Sequence, residues 1–312
     1  MGFAGAMALA MAMDALFGWP DGLFARIGHP VTWLGRLIAA LDQRCNREAD
    51  APGVRRMAGV ATASIMIALA AGVGFLLQSL LCGGCRVAVI GLIAWPFVAL
   101  RSLCEHVAAV AHPLQVGELD VARAAVAKIV GRDPAMLDEQ AVARAALESL
   151  AENTSDGVVA PLFWGALLGL PGIIGYKAIN TLDSMIGHRS ARHEQFGWAA
   201  ARIDDVANFI PARITGLLFA LLASYPPAAF SCMIADARHH RSINAGWPEA
   251  AMAGALAVRL SGPRIYHGHV ADEPWLNARA RDPAASDIMR GVKLYLRAMV
   301  LLAMILVALA IA

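Results

Sequence analysis

The feature that most constrains this chain is a set of long stretches without a charge. Met57 to Cys85 runs 29 residues, Gly157 to Tyr176 runs 20 and Ile214 to Ala235 runs 22. A helix that crosses a bilayer needs about 20 apolar residues. Met1 to Met13, Val87 to Leu100 and Ala298 to Ala312 are shorter charge-free runs, which flanking residues can complete or which sit as buried partner helices. The chain is 58% hydrophobic and 16% charged, against a soluble norm of roughly 25% charged. The expected class is an all-α, polytopic integral membrane protein with four to six membrane segments, residues 1–312 forming one membrane domain.

Met1 to Phe17 has no basic leader and ends near Asp14, so it reads as a retained first helix. Residues 18–56 hold six arginines against four acids, whereas the turn after Cys85 holds only Arg86. The excess of basic residues on cytoplasmic loops places 18–56 in the cytoplasm. Two apolar runs then form a hairpin that returns 101–156 to the same side as a soluble helical loop. Asp133-Pro134 reads there as an N-cap followed by a proline in the first turn. Residues 236–297 form a second polar region with nine basic residues. A single crossing by Ile214 to Ala235, which contains Pro226-Pro227, conflicts with that cytoplasmic placement.

Glu148 to Arg213 is the chemical centre of the sequence. It sets seven carboxylates, five basic residues and three asparagines around the run Gly157 to Tyr176, which two prolines and five glycines interrupt. A simple span there would divide the cluster between the two faces of the membrane. A broken or re-entrant segment would not, and such backbone is tolerated at membrane depth where protein or a polar cavity satisfies it. An ordinary kinked helix is the alternative. Glu148, Glu152 and Asp156 are spaced i, i+4, i+8, a spacing that keeps them on one side of a regular helix. Asn180 with Asp183, and Asp204 with Asn208, repeat the pattern. Such oxygen sets suit magnesium, although capping and surface ion pairing also use them. Lys177, Arg189, Arg202 and Arg213 are candidates for phosphate contacts, or for membrane-boundary anchors.

Other chemistries find little support. A net charge of +2 spread over the loops gives no basic face for nucleic acid. No phosphate-binding G-x-x-x-x-G-K-[ST] loop, H-E-x-x-H or G-x-S-x-G is present. Cys82 and Cys85, either side of Gly83-Gly84, read as reduced thiols in a turn, since one such pair cannot make a four-ligand zinc site.

Six strings resemble one family in order: G-H-P-V-T-W-L-G at 28–35, V-G-R-D at 130–133, E-S-L-A-E-N-T-S-D-G-V-V-A-P-L-F at 148–163, N-T-L-D-S-M-I-G at 180–187, A-A-R-I-D-D-V-A-N-F-I-P-A-R at 200–213 and S-I-N-A-G-W-P-E-A-A-M-A-G-A-L at 242–256. They are similar to the adenosylcobinamide-phosphate synthase family, CobD/CbiB, of cobalamin biosynthesis. The resemblance implies an inner-membrane ligase with its active site on the cytoplasmic side. Such an enzyme joins (R)-1-aminopropan-2-ol, or its O-phosphate, to the free propionate carboxylate of adenosylcobyric acid, with Mg2+ and ATP. Enzymes acting later in the pathway are candidate partners on that resemblance alone.

Charge and spacing, taken with the resemblance, assign roles. Glu148, Glu152, Asp156 and Asp183 are assigned to the metal. Lys177, Arg189 and Arg202 are assigned to phosphate, with Lys177 also counted as catalytic and Arg202 as substrate-binding, and Asp204 or Asp205 to deprotonating the attacking ammonium. Arg189, Arg213, Asn153, Asn180, Asn208, Asn244 and Trp247 are assigned to substrate, the last two as corrin contacts or as a structural turn. A magnesium-dependent phosphotransferase or prenyltransferase, and an ion-coupled transporter, are the alternative classes. The first two lack their aspartate spacings, and the third lacks a repeated half.

Overall fold

The structure, a computed structural model, describes residues 2–131, 134–188, 190–266, 269–271 and 273–312. It is almost wholly helical. The helices are α1 (Ala4–Phe17), α2 (Asp21–Ile27), α3 (Pro30–Cys45), α4 (Pro52–Ser79), α5 (Arg86–Ala94), α6 (Leu100–Gln115), α7 (Leu119–Val126), α8 (Glu139–Thr154), α9 (Ala160–Leu168), α10 (Leu170–Leu182), α11 (Trp198–Ala207), α12 (Phe209–Leu222), α13 (Pro226–Asp236), α14 (Gly246–Leu256) and α15 (Ala285–Ile311). Single π-helical turns follow α8 at Ser155–Val159 and α10 at Asp183–Gly187. Between α14 and α15 two small antiparallel pairs form, β1 (Leu260–Ser261) with β4 (Trp275–Leu276) and β2 (Arg264–Tyr266) with β3 (His269–Ala271).

Three helical stretches among the described residues are long and apolar enough to cross a membrane: Pro52–Ser79, Arg86–Gln115 and Ala285–Ile311. The pair α11 and α12, bent by 47° at Asn208, makes a fourth if it crosses as one. Ile65, Leu69, Phe75 and Leu76 on α4 are exposed, an apolar load that marks contact with lipid or another protein. Composition and helix lengths together establish an all-α membrane protein.

The described residues group into two compact units. The first contains residues 1–99, 160–208 and 305–312. Its core packs Ile38 of α3 and Met66 of α4 against Leu182, Ile186 and Phe196. The expected break in Gly157 to Tyr176 falls at Gly169, whose φ of +74° lies in a backbone region that favours glycine. α10 then folds back on α9, so that Gly172 lies against the Trp164 carbonyl and Gly165 against Ile173. α9 and α10 therefore form a hairpin and not one straight span. α4 braces the turn. A Cβ on Gly74 would sit 2.7 Å from the Leu170 and Pro171 backbone, and Gln78 Oε1 accepts the Leu170 N–H at 2.9 Å.

The second unit contains residues 100–159 and 209–304. The segment 101–156, expected as a soluble helical loop, is helical as α6, α7 and α8, and α6 belongs to the stretch Arg86–Gln115 that is long and apolar enough to cross a membrane. The start of α8 differs from expectation: Asp133 lies outside the described residues, Pro134 precedes the helix, and Asp138 is the N-cap, its Oδ1 accepting the Ala141 N–H at 2.7 Å. A free aspartate carboxylate at the fourth orphan amide competes better for the helix start than an upstream proline does. Ile214 to Ala235 is not one crossing either. α12 stops at Leu222, and Pro226-Pro227 open α13 as its first turn, where missing N–H groups cost nothing.

Candidate active site

In the first unit, the end of α10 and the second half of α11 carry seven of the fifteen sequence-predicted residues, Lys177, Asn180, Asp183, Arg202, Asp204, Asp205 and Asn208. The π-turn carries Asp183 immediately after α10, and Gly187 leaves space for its Oδ1. Burial pushes the Asp183 carboxyl above the usual range; His188 pulls it back, Asp205 pushes it further up and Arg202 pulls it down. Asp183, His188, Asp205 and Arg202 therefore share one electrostatic neighbourhood. Arg202 Nη1 meets Asp205 Oδ2 at 3.0 Å, one turn apart on α11.

Nearly two turns upstream on α10, Lys177 is buried and its carbonyl accepts the Thr181 hydroxyl at 2.6 Å. His29 caps α3 opposite it. The His29 Nδ1 accepts the Val31 N–H at 3.2 Å, which leaves its proton on Nε2 in the neutral ring. Burial, with the nearby Lys177 charge as the second cause, lowers the His29 pKa, so the ring is neutral at pH 7. The proline of G-H-P at 28–30 starts the helix that aims this histidine.

A hydrogen-bonded relay links α10 to α11. The Tyr176 hydroxyl donates to Asn208 Oδ1 at 2.8 Å, and Asn208 Nδ2 donates to Asp204 Oδ2 at 2.9 Å. Tyr176 and Asn208 are almost fully buried, while Asp204 is partly exposed. The buried amide thus holds one carboxylate oxygen of Asp204 in a fixed place. Trp164 secures the same corner by donating Nε1–H to the Ala207 carbonyl at 3.0 Å. Asn180 is half-buried on α10, where its carbonyl accepts the Ser184 hydroxyl at 2.8 Å. Arg189 lies outside the described residues.

The remaining candidates lie in the second unit. Glu148 is buried, and its Oε1 accepts the Ser261 N–H at 2.7 Å, tying α8 to β1. Glu152 and Asn153 are exposed, the latter donating to the Ser149 carbonyl at 2.9 Å. Asp156 falls in the π-turn, where the regular 100° step assumed for the acidic triad no longer holds. Arg213 gathers Asn244 and Trp247 around itself: it donates to Asn244 Oδ1 at 2.7 Å and to the Ile243 carbonyl at 3.1 Å, and stacks 4.7 Å from the Trp247 ring centre. These contacts shape the turn that leads into α14.

Among the described residues no three His, Cys, Asp or Glu side chains form a ready metal cage. The donor set still fits magnesium, which takes one or two carboxylates and keeps waters and substrate phosphates as its other ligands. Asp183 and Asp205 are such a pair, held close enough to repel in a partly buried setting.

Tyr176 and His29 belong to this site, and sequence reasoning assigned neither a role. Tyr176 closed an apolar run and counted as its end. His29 carried a signal in its position before a helix-opening proline.

A bundle of apolar helices with acids, amides and cations gathered where one helix ends is the architecture of a membrane protein built around a polar site. The comparisons specify it further. Residues 7–295 match the family described as CobD/Cbib protein, and the chain belongs to that family. It is 60% identical over 300 residues to the Cobalamin biosynthesis protein CobD of Rhodobacter capsulatus, covering 96% of this chain and 95% of that one. It is 46% identical over 313 residues to the protein of that name from a Sinorhizobium species, covering 97% of each. The Brucella suis protein so named is 44% identical over 311 residues, covering 97% of this chain and 95% of that one. No solved structure matches the chain.

Proposed function

We propose that the protein is an acid–amine ligase of cobalamin biosynthesis, joining (R)-1-aminopropan-2-ol or its O-phosphate to the free propionate of adenosylcobyric acid with ATP. Its active site faces the cytoplasm across an inner membrane. The observation that carries this reading is the Asp183, Asp205 and Arg202 cluster beside the Tyr176–Asn208–Asp204 relay, in a chain matched to the family over nearly its whole length.

A carboxylate is a poor electrophile until it is phosphorylated. The propionate oxygen attacks the γ-phosphorus of ATP, the bond to the β-phosphate oxygen breaks, and ADP leaves. The amine then attacks the acyl phosphate carbon, inorganic phosphate leaves, and one proton from the ammonium must go to a base. Magnesium, when bound by Asp183 and Asp205, supplies charge neutralisation at the transferring phosphoryl group. Arg202 and Lys177 place positive charge on the phosphate oxygens. Asp204, whose Oδ2 is held in place by the Asn208 amide, is the base that takes the ammonium's proton.

The test is amide formation by the purified protein in detergent with adenosylcobyric acid, aminopropanol phosphate and Mg-ATP, read by mass. The expected outcome is product from the wild type and from the Arg47→Ala variant, whose side chain is exposed and distant from the cluster in sequence, and none from folded Asp183→Ala. Absence of product from every folded sample would remove the ligase reading.

A further inference from the structure

α15 enters its apolar stretch behind three cations. Arg290, Lys293 and Arg297 are spaced i, i+3 and i+7, which at about 100° per residue places them in one stripe of the helix. With Leu222 at the end of α12, Ser224 just beyond it and Leu256 at the end of α14, they line a recess of about 150 Å3 within the second unit. The residues that follow, Ala298 to Ala312, carry no charge. The recess therefore sits where the span meets the membrane boundary.

The three cations are not equivalent. Arg290 Nη1 donates to Asp287 Oδ1 at 2.6 Å and to the Leu256 carbonyl at 3.2 Å, so it is committed to the helix start and to the end of α14. Lys293 and Arg297 are exposed, and neither makes a hydrogen bond or ion pair among the described residues. Like charges four residues apart weaken a helix by a few tenths of a kcal/mol, so this pair stands at a small loss unless an anion joins it. Anchoring at a membrane boundary needs basic residues but no recess. Basic pockets between membrane helices are the sites that take phosphate head groups.

We infer that Lys293 and Arg297, with the Ser224 hydroxyl as a further donor, bind a phosphate group at the membrane boundary. The site lies in the second unit, whereas Asp183 belongs to the first, and its ligand is either the phosphodiester of an anionic lipid or free phosphate.

Native mass spectrometry of the detergent-purified full chain tests this, with phosphatidylglycerol and phosphatidylcholine titrated in parallel and inorganic phosphate added in a separate arm. The variants are Lys293→Gln/Arg297→Gln and the charge-keeping Lys293→Arg/Arg297→Lys. Retention of one phosphatidylglycerol in at least fivefold preference over phosphatidylcholine, lost in the Gln pair and kept in the exchanged pair, supports the site with lipid as the source. Retained inorganic phosphate with the same dependence on the variants, and no lipid preference, supports it with free phosphate as the source. Equal adducts in wild type and the folded Gln pair in both arms overturn it.

Discussion

Asp183 is held in a setting that works against its own charge. Its pKa is raised, first by burial and also by Asp205. Between the ordinary carboxylate range and that raised value, the folded protein keeps a proton that the unfolded chain has released, so this group makes stability fall as pH rises through that window. Asp183→Asn removes the effect. The variant is expected to be inactive yet to melt higher than wild type at neutral pH, with the difference shrinking as pH falls; thermal melts across pH in detergent would show it. Tyr176→Phe acts the other way. It strips a donor from buried Asn208, which costs about 1–3 kcal/mol, and it loosens Asp204. Lower melting temperature together with lower kcat is expected, whereas a purely structural hydroxyl would leave kcat per folded molecule intact. Residue identities at this site were legible where charge sat at helical spacing, as for Asp183, Arg202, Asp204 and Asp205. The roles of Tyr176 and His29 were not, because a buried hydroxyl and a neutral imidazole acquire meaning from what faces them. Nor does any local pattern show that Glu148 meets an amide 113 positions away.

At the scale of elements, glycine and proline said more than hydropathy did. The run Gly157 to Tyr176 is as apolar as a span, but the positive φ of Gly169 turns it into a hairpin. Gly169→Ala would force a side chain into a backbone region nearly confined to glycine and against Gln78 and Phe3. The expected loss is on the order of 1–3 kcal/mol, seen as a lower melting temperature, while Gly72→Ala, on open helix surface, holds or gains stability. Pro226-Pro227 likewise divided α12 from α13, and a reading that allowed the prolines to begin a helix would have found that boundary. The start of α8 was harder to see, since both Asp133-Pro134 and Asp138 carry N-terminal signals and it is the Asp138 carboxylate that caps the helix, through the Ala141 N–H.

For the whole molecule, the excess of arginine in residues 18–56 and the length of α4 predict the direction in which the chain is threaded. Cys82 and Cys85 are exposed in the turn after α4, so they should face away from the cytoplasm. An impermeant maleimide added to intact cells is expected to label them, whereas Glu48→Cys would react only after permeabilisation; the reverse pattern would invert the topology. The class of fold was plain from the charge-free runs because the bilayer leaves a chain few choices. The grouping into two units was not, since it depends on contacts among segments far apart in sequence. The bond from Leu170 to Gln78 carries a last consequence, one of timing. The first amides of α10 have no partner within their own helix, and in hydrocarbon an unmet amide is costly. Gln78 leaves the ribosome 92 residues before Leu170, so its acceptor is already waiting when the hairpin is made, and the order of synthesis becomes an order of assembly.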